Sequence, residues 1–139
     1  MLLGSDRDYP NLGEIKEPGM RRLKVAVVDA NELSCRTVRT LLELADIPVA
    51  PLHSLEGLPE HLHKEQVAVL IVDLDSLPVD NTFFRNLKKQ FPQLHILCLS
   101  SRIYHPGLEE AMGSHICASL AKPLNSEELF YWLKAIAEI

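Results

Sequence analysis

From Leu23 onward the chain alternates short β-branched apolar runs with longer amphipathic ones, the pattern of successive strand–helix units around a parallel sheet. The strands read as residues 23–28, 49–53, 67–72, 94–99 and 116–121. Residues 67–72 are apolar without alternation, as in a strand covered on both faces, so this segment is expected at the middle of the sheet. Between the strands, Asn31 is placed to cap a helix whose apolar positions Leu33, Val38, Leu41, Leu42 and Ala45 recur at helical spacing. A weaker helix is expected over residues 55–64, and Phe83, Phe84 and Leu87 mark a third that stops at Phe91-Pro92, because a residue before proline disfavours helical geometry. Residues 106–112 read as a short fourth helix. The last begins at Asn125 with Glu128 three residues later as a capping box; it should bury Leu129, Trp132, Leu133 and Ile136 and turn Tyr131 outward. The fold class is therefore α/β, with five βα units in order.

Composition narrows the picture. A length of 139 residues suits one domain, and 47% hydrophobic with 24% charged residues is ordinary for a globular protein. No stretch approaches the roughly 20 apolar residues of a membrane span. The net charge is -5 and the basic clusters, Arg21-Arg22-Lys24 and Lys88-Lys89, are small, which argues against nucleic-acid binding by this domain. The N-terminus lacks a basic segment followed by an apolar core and a cleavage site, so a cytoplasmic location is expected. Cys35, Cys98 and Cys117 are odd in number and lack CxxC spacing, consistent with reduced thiols; Cys98 and Cys117 read as small core residues on adjacent strands. His53, His61 and His63 read as surface histidines, because His61 and His63 point to different sides of a helix. Residues 1–22 have the Gly, Pro and mixed-charge composition of an extension, which leaves residues 23–139 as the domain.

Four apolar runs stop on a residue that can do chemistry: Asp29 after KVAVV, Asp73 after VAVLIV, Ser100 after HILCL and Lys122 after ICASLA. In a parallel α/β sheet, residues just past the carboxyl ends of the strands collect in one crevice. Two carboxylates, a hydroxyl and one cation form an oxygen-rich pocket suited to Mg²⁺ and phosphate together.

The segment from Lys24 to Ile139 resembles a response-regulator receiver domain, the phosphoacceptor module of two-component signalling. The resemblance rests on Val-Val-Asp-Ala-Asn ending at Asn31, Ile-Val-Asp-Leu-Asp ending at Asp75, Leu-Cys-Leu-Ser-Ser ending at Ser101, and Leu-Ala-Lys-Pro ending at Pro123. It implies a flavodoxin-like (βα)5 sandwich with strand order 2-1-3-4-5. It also implies a signalling module rather than an enzyme. Asp73 then matches the aspartate that takes a phosphoryl group from a histidine kinase or phosphotransfer protein. Mg²⁺ would be held by Asp29, Asp73 and Asp75. Ser100 matches the hydroxyl residue that meets the phosphoryl oxygen, and Lys122 the lysine that pairs with the modified carboxylate, ahead of a cis bond to Pro123. The surface of the fourth helix, fifth strand and fifth helix, including Glu109, Tyr131 and Lys134, is the implied contact for a protein target or a second copy. The signal would leave through a partner or a separate output domain.

The chain departs from the family at several points. Ala30 stands where a second acid usually follows the first, which weakens Mg²⁺ binding unless Glu32 or Asp75 supplies the carboxylate. The loop Leu-Asp-Ser-Leu-Pro-Val-Asp after Asp73 has its proline one residue late, Ser119 replaces an aromatic switch residue, and His115 replaces a glycine ahead of the fifth strand. These changes leave room for a phosphorylation-independent pseudo-receiver that works as an interaction module. Asp73-Leu74-Asp75 also resembles the nucleophile and acid/base pair of haloacid-dehalogenase-type phosphohydrolases. The later acidic metal-binding pair of those enzymes has no counterpart here, since Glu127-Glu128 fall in a helix start.

Overall fold

Five strands form one parallel sheet in the computed structural model, which describes residues 23–139; the expected 1–22 extension lies outside the described residues. In chain order the elements are β1 (Val25–Val28), α1 (Glu32–Leu44), β2 (Val49–Leu52), α2 (Leu58–Glu65), β3 (Val69–Asp73), α3 (Asn81–Gln90), β4 (His95–Ser100), α4 (Ala111–His115), β5 (Ala118–Ala121) and α5 (Ser126–Ala137). The strand order is β2-β1-β3-β4-β5, as the family resemblance implies. β3 lies between β1 and β4, with Val69 paired to Val25 on one side and His95 on the other, and all of its residues are buried. The unbroken apolar run therefore marks the central strand, because both of its faces must be dry.

Strand alternation divides the core into two layers. Val25, Val27, Val69, Ile71, Leu97 and Leu99 face one way and pack with Val38 and Leu42 of α1 and Leu129 and Leu133 of α5. Ala26, Val28, Leu70, Val72, Ile96 and Cys98 face the other way, against Leu58 and Leu62 of α2, Phe84 and Leu87 of α3, and Ala111 of α4. Side-chain caps fix where the longer helices begin. Asn31 accepts from Ser34 N at 2.9 Å, Asp80 from Phe83 N at 2.8 Å and Asn125 from Glu128 N at 3.1 Å, each satisfying a backbone donor that the first turn leaves over.

The departures from the sequence expectations have local causes. α2 starts at Leu58 rather than near 55 because Gly57, in left-handed geometry with φ 71°, breaks the chain direction just before it. The fourth helix lies at 111–115 instead of 106–112. Gly107, at φ 86°, turns the chain first, and Asn81 Oδ1 then accepts from Ala111 N at 3.0 Å, anchoring α4 to the start of α3. α4 closes with a π-type bond from Ile116 N to Ala111 O at 2.9 Å. Glu110 strengthens the same contact, accepting from Arg85 Nε and His115 Nε2, both at 2.8 Å. Arg85 first, then His115, holds the Glu110 carboxyl well below the usual carboxylate range, at about 2. Leu33 is exposed, because Cys35 takes the inward place in the Cys35, Val38, Leu42 stripe. Cys117 is exposed one residue before β5, its neighbour Ile116 being the buried one. Trp132 is only partly buried at the core margin, and Tyr131 faces outward as expected.

Phe84 is the largest fully buried side chain and sits under the β3–β4 face. Phe84→Ala should lower the unfolding free energy by about 3–5 kcal/mol, read as a shift in the denaturant midpoint. A loss under about 1 kcal/mol would show that the α3 layer is not packed as described.

Candidate functional site

The carboxyl edge of the sheet brings the strand-end residues together. Asp29 directly follows β1, Asp73 ends β3, Ser100 ends β4 and Lys122 directly follows β5. Backbone bonds carry the sheet ladder into the site: Asp29 N to Leu52 O and Leu74 N to Leu99 O, both 2.9 Å, and Lys122 N to Ser100 O at 3.1 Å. Asp29, Asp73 and Ser100 are 0%, 1% and 2% exposed and are the only buried polar or charged residues among those described. Burying a carboxylate is costly unless it is paired and hydrogen-bonded, so their partners define the site.

Lys122 supplies the cation. Its Nζ lies 2.5 Å from Asp73 Oδ1 and 2.9 Å from Asp75 Oδ2, across a Lys122–Pro123 bond that is cis. Burial pushes the ammonium pKa down, but hydrogen bonds to Asp73 and then Asp75 outweigh it and the net shift is upward. No donor other than this ammonium reaches Asp73 Oδ1. Asp75 has its own set of contacts, its carboxylate accepting from Ser101 N at 3.1 Å and from Ser101 Oγ at 3.1 Å. Burial raises its pKa, and the hydrogen bonds from Lys122 and Ser101 together hold it below the usual value. Asp75 therefore ties the loop after β3 to the loop after β4, with Lys122 between it and Asp73.

On the other side of Asp73 stands Ser76, a residue not singled out by sequence reasoning. Its amide donates to Asp73 Oδ2 at 3.0 Å, its hydroxyl donates to Asp29 Oδ1 at 3.1 Å, and Ser76 Oγ itself accepts from Ala30 N at 3.0 Å. Asn31 N also donates to Asp29 Oδ1, at 2.9 Å, while Asp29 Oδ2 is buried with no partner. The signal available in sequence was a hydroxyl residue three past Asp73, but its direction depends on how the 74–80 loop folds. His53 Nδ1 lies 3.1 Å from Asp29 O; since a carbonyl only accepts, Nδ1 carries the proton. Ser100 Oγ accepts from Arg102 N at 3.0 Å. Ser119 is exposed on β5, so no ring occupies that position. Burial, followed by the charge of Asp73, pushes the Cys98 thiol far up, which keeps it neutral beneath the site.

Asp29 and Asp73 are the residues that would hold a hard cation at this edge. Among the described residues, no group of three or more His, Cys, Asp or Glu is arranged for a metal ion. Mg²⁺ needs no such cage, because it keeps several waters and uses one or two carboxylates plus phosphate oxygens. Asp29, with its bare Oδ2, and Asp73 supply two such carboxylates. The Asp75 carboxylate is instead engaged by Lys122 and Ser101, and Glu32 is exposed in the first turn of α1.

Comparisons with known proteins agree with this fold. The solved signal receiver domain of an HD domain-containing protein from Pseudomonas fluorescens is 19% identical, covers 84% of this chain and 95% of its own, and superposes with a TM-score of 0.75. The receiver domain of RcsB from Salmonella enterica, solved with the phosphomimetic BeF3-, is 24% identical over 84% and 88% of the two chains, with a TM-score of 0.71. The chemotaxis response regulator CheY4 of Vibrio cholerae is 23% identical over 82% and 98%, with a TM-score of 0.68. At these identities the likeness shows the fold alone. The search of curated proteins finds no match. The family model of the response regulator receiver domain matches residues 25–134, from the first residue of β1 into the last helix, and takes in every residue of the site. On that match, the chain belongs to the response-regulator receiver domain family.

Proposed function

We propose that this receiver domain accepts a phosphoryl group on Asp73 from a histidine kinase or phosphotransfer protein and signals through a partner or a separate output domain. The observation that carries the reading is the pairing of Asp73, 1% exposed at the end of the central strand, with Lys122 Nζ at 2.5 Å. A carboxylate oxygen of Asp73 attacks phosphorus, the bond from phosphorus to the donor nitrogen breaks, and that nitrogen keeps the electron pair. The reaction brings a phosphoryl dianion to a site that already holds two buried acids, so positive charge must be present. Lys122 provides one such charge. Receiver domains in general bind Mg²⁺ at the acidic phosphorylation site; here Asp29 and Asp73 would hold it, and the ion would neutralise charge on the transferring group.

Receiver domains are generally signalling modules rather than enzymes. A hydrolase reading would need Asp75 as an acid/base, and its carboxylate is committed to Lys122 and Ser101. Among the described residues no helix is long and apolar enough to cross a membrane; a cytoplasmic site of action is part of the same proposal. The surface of α4, β5 and α5, where Tyr131 is exposed, is the proposed face for a protein target or a second copy. A second reading, a pseudo-receiver that works without phosphorylation, is favoured by Ala30, by the missing ring at Ser119 and by an ammonium already balanced by two carboxylates.

Incubation with acetyl phosphate and Mg²⁺, followed by intact mass, separates the two. Wild type should gain one labile phosphoryl mass and Asp73→Asn none. If wild type gains nothing under conditions that modify an ordinary receiver, the interaction-module reading replaces the phosphoacceptor one.

Asp75→Asn removes one of the two acids that share Lys122 and lessens the repulsion felt by an incoming dianion. The labelling rate should rise by about three- to ten-fold, the equivalent of about 1 kcal/mol for a partly exposed ion pair. The same variant has a defined pH signature. The folded-state pKa of Asp75 is depressed, so its contribution to stability is present above the ordinary carboxylate pKa of about 3.9 and is lost as pH falls through the folded value. Wild type should therefore be more stable than Asp75→Asn at pH 7, with the difference shrinking below about pH 4 in denaturant titrations. A gap that stays constant across that range would remove the ionic role of Asp75.

A further inference from the structure

Ala30 leaves the acidic site one carboxylate short, and Ser76 occupies the space beside that position. The loop after β3 brings the Ser76 hydroxyl to 3.0 Å from the amide of Ala30 itself and to 3.1 Å from Asp29 Oδ1. The amide of Ser76 binds Asp73 Oδ2 at 3.0 Å. Ser76 is thus pinned between both acids by bonds to three different residues, its hydroxyl to Asp29 and Ala30 and its amide to Asp73. Asp29 is completely buried, yet its Oδ2 has no partner. A buried carboxylate oxygen without a donor is costly, and a cation would satisfy it.

We propose that Ser76 supplies, as a neutral hydroxyl ligand beside Asp29 and Asp73, the oxygen that Ala30 removes from the Mg²⁺ site. The assignment deepens the phosphoacceptor reading and rests on it. The geometry supports it: the Ser76 hydroxyl is held beside Asp29 by its bond to Oδ1, while the other oxygen of that carboxylate, Oδ2, is left for an ion. A hydroxyl has one proton and two lone pairs; Ser76 spends one lone pair on Ala30 N, which leaves the second for a metal. The hydrogen bond from Ser76 to Asp29 Oδ1 keeps the hydroxyl beside that acid when no ion is bound. A hydroxyl replaces the oxygen of a second acid but not its charge, so the site should bind Mg²⁺ more weakly than one with an added acid.

Mg²⁺ titration of the unphosphorylated protein, followed by amide NMR shifts around Asp29 and Asp73 and by calorimetry, tests the assignment without any phosphoryl transfer. Ser76→Ala should weaken Mg²⁺ binding by about tenfold, Ser76→Thr should stay within about threefold of wild type, and Ala30→Asp should tighten binding. Thermal melting checks that each variant is folded. If Ser76→Ala binds as tightly as wild type while Ala30→Asp tightens, Ser76 is not a ligand and the phosphoacceptor reading stands. Tighter binding by Ser76→Ala would overturn the proposal in the other direction, making the hydroxyl a competitor of the ion. If neither wild type nor Ala30→Asp binds Mg²⁺, the proposal and a metal-assisted Asp73 fail together.

Discussion

The buried ion pair between Asp73 and Lys122 is the interaction on which the rest of the site depends. Asp73 sits at the end of a strand whose other residues are all apolar and buried, so its charge has no recourse to bulk water. The cation comes from β5, two strands away across the sheet. Bringing them to 2.5 Å requires β4 to lie between the two strands and in register with both. The order of the sheet and the chemistry of its edge are in this sense one constraint. Removing one partner of such a pair costs more than the pair itself contributes, because the remaining charge is left dry.

Around that pair the two acids beside Asp73 play different parts. Asp29 turns toward Ser76 and leaves one oxygen bare, while Asp75 turns toward Lys122 and Ser101. The first arrangement leaves a place for a cation; the second balances the lysine and fastens the loop after β4. The exposed Ile103 and Tyr104 lie in that same loop, a few residues beyond Ser101. Lys122, Asp75 and Ser101 thus form a continuous chain of contacts from Asp73 to that loop. No aromatic ring at position 119 is involved, since that position carries an exposed serine.

Much of the framework could be read from the chain because period and punctuation agree with burial. The apolar run ending at Asp73 demanded a central strand, and Asn31 and Asn125 announced helix starts that they in fact cap. Asp29, Asp73, Ser100 and Lys122 come together for a topological reason, since parallel strands place their carboxyl ends on one edge. What could not be read depends on loop conformation and tertiary contact. The direction of Ser76 and Asp75 is set by the backbone between β3 and α3, where no periodicity operates. The position of α4 follows from the Gly107 turn and the bond from Asn81 to Ala111, which join residues 30 apart in sequence. Leu33 and Cys117 are apolar by type but lie off the buried positions of their segments, a difference that composition does not register.

A double-mutant cycle on unfolding free energy tests the central ion pair most directly. Lys122→Met alone should cost about 2–3 kcal/mol, less than for a fully buried pair because Lys122 keeps 25% of its side chain exposed. Asp73→Asn combined with it should recover more than half of that loss, since no bare carboxylate remains. If instead the two substitutions are additive, or Lys122→Met costs less than about 0.5 kcal/mol, Asp73 does not depend on Lys122 and the account of the site is wrong.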